Sequence, residues 1–320
     1  MAVGRLEPGR RIRGLSVGTL PARDVRERMA AQGLALRIPP ITVRLRSPLR
    51  SFAEQIHALY RDYELADAGD FADIDIRMIR VPGLRRWGRP QVQFIVDGVM
   101  PFDPFPIDHA LPMFEWGLNW VFGHRMHAYL LLHAAVVERG GQALVLPAWP
   151  GSGKSTLAAS LACRGWRLLS DEFGVVTFSG TEVLPFARPV ALKNESIGVM
   201  RVFGPDASYG PIFPRTRKGT VVHFRVPEES VLRGHEPATV AMIVFPDFQA
   251  DQDNLIRPLP KATALLKLGG NSFNYEIVGE KGFRALSAIV RRCESYVLRY
   301  RDLATAHAVL DEIMSKAPSP

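Results

Sequence analysis

The chain has 320 residues, 47% of them hydrophobic and 22% charged, the balance of a globular protein with room for one large domain or two ordinary ones. No apolar run reaches the length of a membrane span and no charged-then-apolar secretory leader is present. The two cysteines, Cys163 and Cys293, offer no framework for disulfides or zinc, so a reducing, cytoplasmic setting is expected.

The net charge of +8 comes wholly from residues 1–50, which hold eleven arginines, no lysine and three acids, Glu7, Asp24 and Glu27. Such a segment suits an acidic partner, nucleic acid or organelle transit. The solvated face of a small folded module is the preferred reading, and nucleic acid is not expected as a partner; Ile41–Arg46 alternates as a half-buried strand with its arginines on the wet side, which a disposable leader would not need. Residues 1–110 read as an α+β module of unknown role. Pro21 opens a helix through residue 31, closed near Gly33. A helix over 51–63 carries Phe52, Ile56, Leu59, Tyr60 and Tyr63 as core packing. Strands follow at 73–80 and 91–96, with turns at Gly83 to Pro90 and at Asp97-Gly98. After a proline-rich extended stretch at 100–110, a connecting helix over 111–130 carries Phe114, Trp116, Leu118, Trp120 and Phe122 and packs the two parts together.

From residue 131 the pattern becomes strand, turn, strand, loop, helix, strand. Ala134–Val137 is a strand, Gly140-Gly141 a turn, and Gln142–Leu146 a buried strand. Then comes Pro147-Ala-Trp-Pro-Gly-Ser-Gly-Lys-Ser-Thr156. Residues 148–155 fit the phosphate-loop pattern with Ala148 in the place of its first glycine, between a strand and a helix as the motif requires. Ala148, Trp149, Pro150, Gly151, Ser152, Gly153, Lys154, Ser155 and Thr156 are therefore the candidate nucleotide-binding residues. Glycines let backbone N–H groups converge on one anion, and the helix N-terminus adds partial positive charge. Lys154 would reach the β- and γ-phosphates of ATP, and the Ser155 hydroxyl would ligate Mg²⁺. Trp166–Leu169 leads as a strand into Asp171-Glu172. Strands are expected at 174–178, 183–186, 221–226 and 240–245, a mobile basic loop over 204–220, a helix over 281–292, a strand at 295–300 and a helix over 302–314. Gly269-Gly270-Asn271 is a turn near the nucleotide or only a connection. Arg215, Arg217 and Lys218 close on phosphates or an acidic acceptor, or form a solvated loop, the preferred reading.

His133, the short hairpin, the phosphate loop and Arg164-Gly-Trp-Arg-Leu-Leu-Ser-Asp-Glu172 together resemble the catalytic domain of HPr kinase/phosphorylase, and more narrowly the HprK-related kinase A group. His133 precedes Lys154 by 21 residues, and the acids follow it by 17 and 18. The resemblance is strong over about 130–175 and weaker beyond; residues 1–110 show no HPr-kinase-type N-terminal domain. It implies an α/β phosphate-loop core over 131–320, with the mixed sheet of HPr kinase and phosphoenolpyruvate carboxykinase. It also implies transfer of the γ-phosphoryl to a serine of a small protein or peptide, a link to a PqqD-type chaperone, and a homo-oligomer. By family position Glu172 is the base, Asp171 assists Mg²⁺, and His133 belongs to the active site. Glu195 is near the spacing of a further metal-binding glutamate, although its surroundings do not align, and Lys193 beside it is an alternative phosphate ligand. The family's usual Asp-Asp is Asp171-Glu172 here, and its late Pro-Gly-Arg-Asn stretch is absent, so a kinase without phosphorylase activity is expected. A small-molecule kinase and a nucleotide-gated binding module without turnover are the alternatives.

Overall fold

The computed structural model describes residues 14–67, 69–83, 88–149 and 151–316. Pro150, Glu7 and the four arginines before residue 14, and the middle of the turn expected at Gly83 to Pro90 lie outside the described residues.

The N-terminal part is built on a five-stranded sheet. α1 (Ala22–Ala30) follows Pro21, and Gly33, with φ of +93°, turns the chain into β1 (Leu34–Ile38). β1 is a strand the sequence reading did not anticipate. It pairs antiparallel with β2 (Ile41–Arg46), whose side chains alternate between buried and half-buried as expected. α2 (Arg50–Leu59) then crosses to β3 (Ile74–Arg80), which lies parallel to β2. α2 ends four residues earlier than the expected helix, yet Tyr60 and Tyr63 beyond it are buried with Phe52, Ile56 and Leu59. β4 (Gln91–Val96) and β5 (Phe105–Pro106) complete the sheet in the order β1-β2-β3-β4-β5. α3 (Ala110–Arg125) is shorter than the helix expected over 111–130. It packs on β4 where Gly117 meets Phe94; any Cβ there would collide with the ring.

The second sheet is mixed and has eight strands. β6 (Leu130–Arg139) turns at Gly140-Gly141, both at positive φ, into β7 (Gln142–Pro147). α4 (Lys154–Cys163) follows the glycine loop, and β8 (Arg167–Ser170), β9 (Phe173–Val176) and β10 (Glu182–Leu184) come next. β14 (Ala238–Phe248) runs parallel to β7, and β16 (Glu294–Tyr300) runs parallel to β14; β15 (Leu255–Pro258) is an antiparallel edge. The order is β10-β9-β6-β7-β14-β16-β15, with β8 also on β6. α4 and α9 (Leu303–Ser315) pack in the apolar cluster on one face; α7 (Lys261–Gly270) and α8 (Tyr275–Arg292) pack on the other. The result is an α/β architecture with a mixed sheet. No helix among the described residues is long and apolar enough to cross a membrane.

A third, antiparallel sheet orders β11 (Val190–Lys193), β13 (Gly219–Phe224) and β12 (Phe213–Thr216), with α5 (Glu195–Phe203) after β11 and α6 (Glu228–Leu232) after β13. The expected loop over 204–220 is corrected here, since its second half is the β12–β13 hairpin. Thr216 Oγ1 accepts from the Lys218 amide at 3.1 Å and donates to the Gly219 carbonyl at 2.7 Å, which closes the basic turn without apolar periodicity.

α3 joins these layers. Phe122 stacks on Phe186 with ring centres 3.8 Å apart and meets Phe173 at 5.2 Å. Glu115 of α3 accepts from Arg188 at 2.9 Å and from the Tyr60 hydroxyl at 2.5 Å, all three groups being buried. Burial raises the Glu115 pKa against the pull of Arg188. Removing either member of this pair would strand a buried charge, at a cost of roughly 3–5 kcal/mol.

Candidate active site

Parallel β7, β14 and β16 end on the same side of the sheet, where ligands of open α/β sheets bind. The loop from Ala148 to Gly153 leaves β7 there. Gly151 and Gly153 take φ of +93° and +83°, so the pattern's second glycine, Gly153, and the additional Gly151 both meet a conformational need. Gly153 also has no room for a side chain, because a Cβ would strike the Tyr300 hydroxyl and lie 2.9 Å from Phe248 Cβ. Ala148 does not adopt positive φ, so alanine replaces the first glycine without backbone strain. The loop is tied down by Phe248 N–H donating to Ser152 O at 3.2 Å and Ala148 N–H donating to His133 O at 3.4 Å. Trp149 projects outward, 67% exposed, whereas Ser155 and Thr156 are half-buried in the first turn of α4.

Asp171 and Glu172 lie between two strands that pair with the same partner. β8 pairs antiparallel with β6 through Val136↔Ser170, and β9 pairs with the same strand through His133↔Phe173. The two acids therefore interrupt one long partner of β6, opposite Ala134 and Ala135, with the register kept across the gap. Lys154, 6% exposed, donates to the Asp171 carbonyl and lies 3.3 Å from Glu172 Oε2 and 3.7 Å from Asp171 Oδ1. Asp171 Oδ1 is buried and accepts no hydrogen bond. Burial alone would raise the Glu172 pKa. The charges of Lys154, His133, Lys193 and Lys218 overcome it and hold the carboxyl at about 2.

His133 stands on β6 near the acids, and burial followed by Lys154 lowers its pKa, so the ring is neutral at pH 7. Its backbone is clamped from α7, with His133 N–H donating to Asn271 O at 2.7 Å and Asn271 Nδ2 donating to His133 O at 2.9 Å. The Gly269-Gly270-Asn271 segment is thus the end of α7 and holds His133 in place. Glu195 does not join the acids; it is exposed in the first turn of α5. Among the described residues no group of three or more His, Cys, Asp or Glu side chains is placed to hold a metal. The donors that fit Mg²⁺ are Ser155 and Asp171, whose unengaged Oδ1 is an oxygen of the type this hard cation takes alongside phosphate and water.

Behind the acids lies a cavity of about 300 Å³. Asp171 and Glu172 line it, and no residue of the 148–156 loop does. Its other walls bring in Lys193 from β11, Arg217 and Lys218 from the β12–β13 turn, and Trp116 and Asn119 from α3. Burial, then the neighbouring Lys193, lowers the Lys218 pKa. Sequence spacing pointed weakly to Lys193 and favoured a solvated role for Lys218; Asn271 was marked only as part of a turn near the nucleotide or a connection, Trp116 only as packing, and Asn119 not at all.

The chain matches no protein-family model, and no curated protein matches it.

Proposed function

We propose that the protein is an ATP-dependent phosphotransferase of HPr-kinase-like type that moves the γ-phosphoryl to a hydroxyl. The observation that carries this reading is the position of Lys154. It follows the glycine loop at the start of α4 and touches two acids whose far side faces a cavity. A phosphate cradle, a cation and a base in a line are what phosphoryl transfer requires. The mixed sheet, the β6–β7 hairpin and the His133 placement support reading 131–320 as a phosphate-loop core like that of HPr kinase.

In this mechanism the N–H groups of the loop and of the first turn of α4 hold the β- and γ-phosphates. Lys154 turns from Glu172 to the phosphates, which releases the carboxylate. Glu172 then orients the acceptor hydroxyl and takes its proton. His133, neutral, orients the carboxylate or the γ-phosphate. Ser155 and Asp171 would hold Mg²⁺, which supplies charge neutralisation at the phosphate oxygens.

The resemblance names a serine of a small protein or peptide as acceptor. The cavity beside Glu172, of small-molecule size, favours a second reading, a small-molecule acceptor. The test is transfer of label from γ-labelled ATP into a cell lysate, with calorimetric titration of ATP–Mg²⁺ in parallel. A labelled protein or metabolite is the expected result. Binding without any transfer would mark a nucleotide-gated module, and no binding would end the phosphotransferase reading.

A further inference from the structure

We infer that the cavity behind Asp171 and Glu172 is the acceptor site, and that it takes a small hydroxylated carboxylic acid with an apolar body. The inference rests on the phosphotransferase reading and adds the substrate class. Four observations carry it. The acids line the cavity and also reach Lys154 at the end of the glycine loop, so an acceptor in the cavity would lie beside both the base and the phosphates. At about 300 Å³, it lies at the lower end of the roughly 300–1,000 Å³ of small-molecule sites, too small for a folded protein surface. Trp116, Phe105, Phe186 and Val221 give it apolar walls.

The fourth observation is unspent polarity. Arg188 and His223, only 7% and 1% exposed, line the cavity, and their buried Nε and Nδ1 have no hydrogen-bond partner among the described residues. Buried polar atoms are seldom left so. The charge of Arg188 is matched by Glu115, leaving a directional donor. Lys193 and Arg217 add unmatched positive charge on the same walls, Arg217 resting 5.0 Å from the Phe105 ring. A carboxylate meets these groups while the hydroxyl faces Glu172.

In the reaction the acceptor oxygen forms a bond to the γ-phosphorus. The bond from that phosphorus to the β,γ-bridging oxygen breaks, its electron pair leaving on the nucleoside diphosphate. The hydroxyl proton passes to the Glu172 carboxylate.

The test uses the full chain and phenyllactate as the probe, with lactate, phenylethanol and a serine-containing peptide as controls, each titrated calorimetrically with and without a non-hydrolysable ATP analogue. Phenyllactate should bind at least about tenfold more tightly than lactate, which lacks the apolar body, or phenylethanol, which lacks the anion. Val221→Trp fills the cavity and His223→Phe removes the free nitrogen; each should weaken phenyllactate at least about tenfold and leave analogue binding at the wild-type value. Analogue binding without phenyllactate binding, phenyllactate binding unchanged in both variants, or the peptide binding more tightly than phenyllactate would overturn the cavity assignment and leave the phosphotransferase reading standing. Phenyllactate binding without analogue binding would instead overturn that reading and the acceptor role with it.

Discussion

The ammonium of Lys154 lies 3.3 Å from Glu172 Oε2, so the proposed phosphate ligand and the proposed base neutralise each other. On the proposed function, nucleotide binding must break this pair before transfer, with ATP drawing the lysine away from the carboxylate.

Lys154→Ala removes the cation while leaving the backbone cradle of Gly151 and Gly153. ATP–Mg²⁺ affinity should drop and transfer should fall by about 10²–10³-fold or more. Unchanged calorimetric titration of the variant would contradict the phosphate-loop reading.

Glu172→Gln and Asp171→Asn should fail differently. The first removes the base, for a loss of roughly 10²–10⁴-fold in transfer, and also removes the competing anion beside Lys154, so ATP affinity should stay level or rise. The second removes the candidate Mg²⁺ ligand and should raise the Mg²⁺ concentration needed for half-maximal rate. Full activity in both variants would make the acid pair purely structural.

Gly153→Ala places a Cβ against Tyr300 and Phe248 and forces a residue with a side chain into positive φ. The conformational cost alone is about 1–2 kcal/mol. The variant should melt lower and bind ATP more weakly. Adding Tyr300→Phe removes the colliding hydroxyl and should restore part of the loss, since the backbone strain remains. Thermal melts of the single and double variants read this directly.

His223 is held neutral by burial, and then by Arg188 and Lys193, with its pKa pushed down to about 3. In the unfolded chain it protonates near pH 6.5. Between those values the unfolded state binds the extra proton, so stability declines as pH falls. From pH 6.5 to 5 this one group accounts for about 2 kcal/mol. His223→Phe should lose correspondingly less stability than the wild type over that interval in urea melts, and parallel losses would show that His223 does not titrate this way.

The reverse reaction should be absent. The chain keeps the loop and the acids but lacks the late Pro-Gly-Arg-Asn segment that the resemblance links to phosphorolysis. Phosphorylated acceptor incubated with the protein, Mg²⁺ and inorganic phosphate should release no appreciable pyrophosphate. Release at a rate near that of the forward reaction would refute this.

The sequence by itself determined the local parts of this protein. The glycine loop between strand and helix was legible because Gly151 and Gly153 answer a backbone requirement at their own positions, between a strand of buried residues and a helix that begins at Lys154. The β2 alternation and the Gly140-Gly141 hairpin were legible for the same reason, since side-chain period and positive φ are properties of a few consecutive residues. The tertiary structure alone decided where the acids point. Asp171-Glu172 reads in sequence as the end of a strand and is in fact an interruption between two strands, because only the pairing of β8 and β9 to one strand defines it. The clamp of Asn271 on His133 and the convergence of Lys193, Lys218 and Trp116 on one cavity join segments far apart along the chain. Such contacts leave no periodic trace in the sequence, because burial and charge at those positions come from neighbours that only folding supplies.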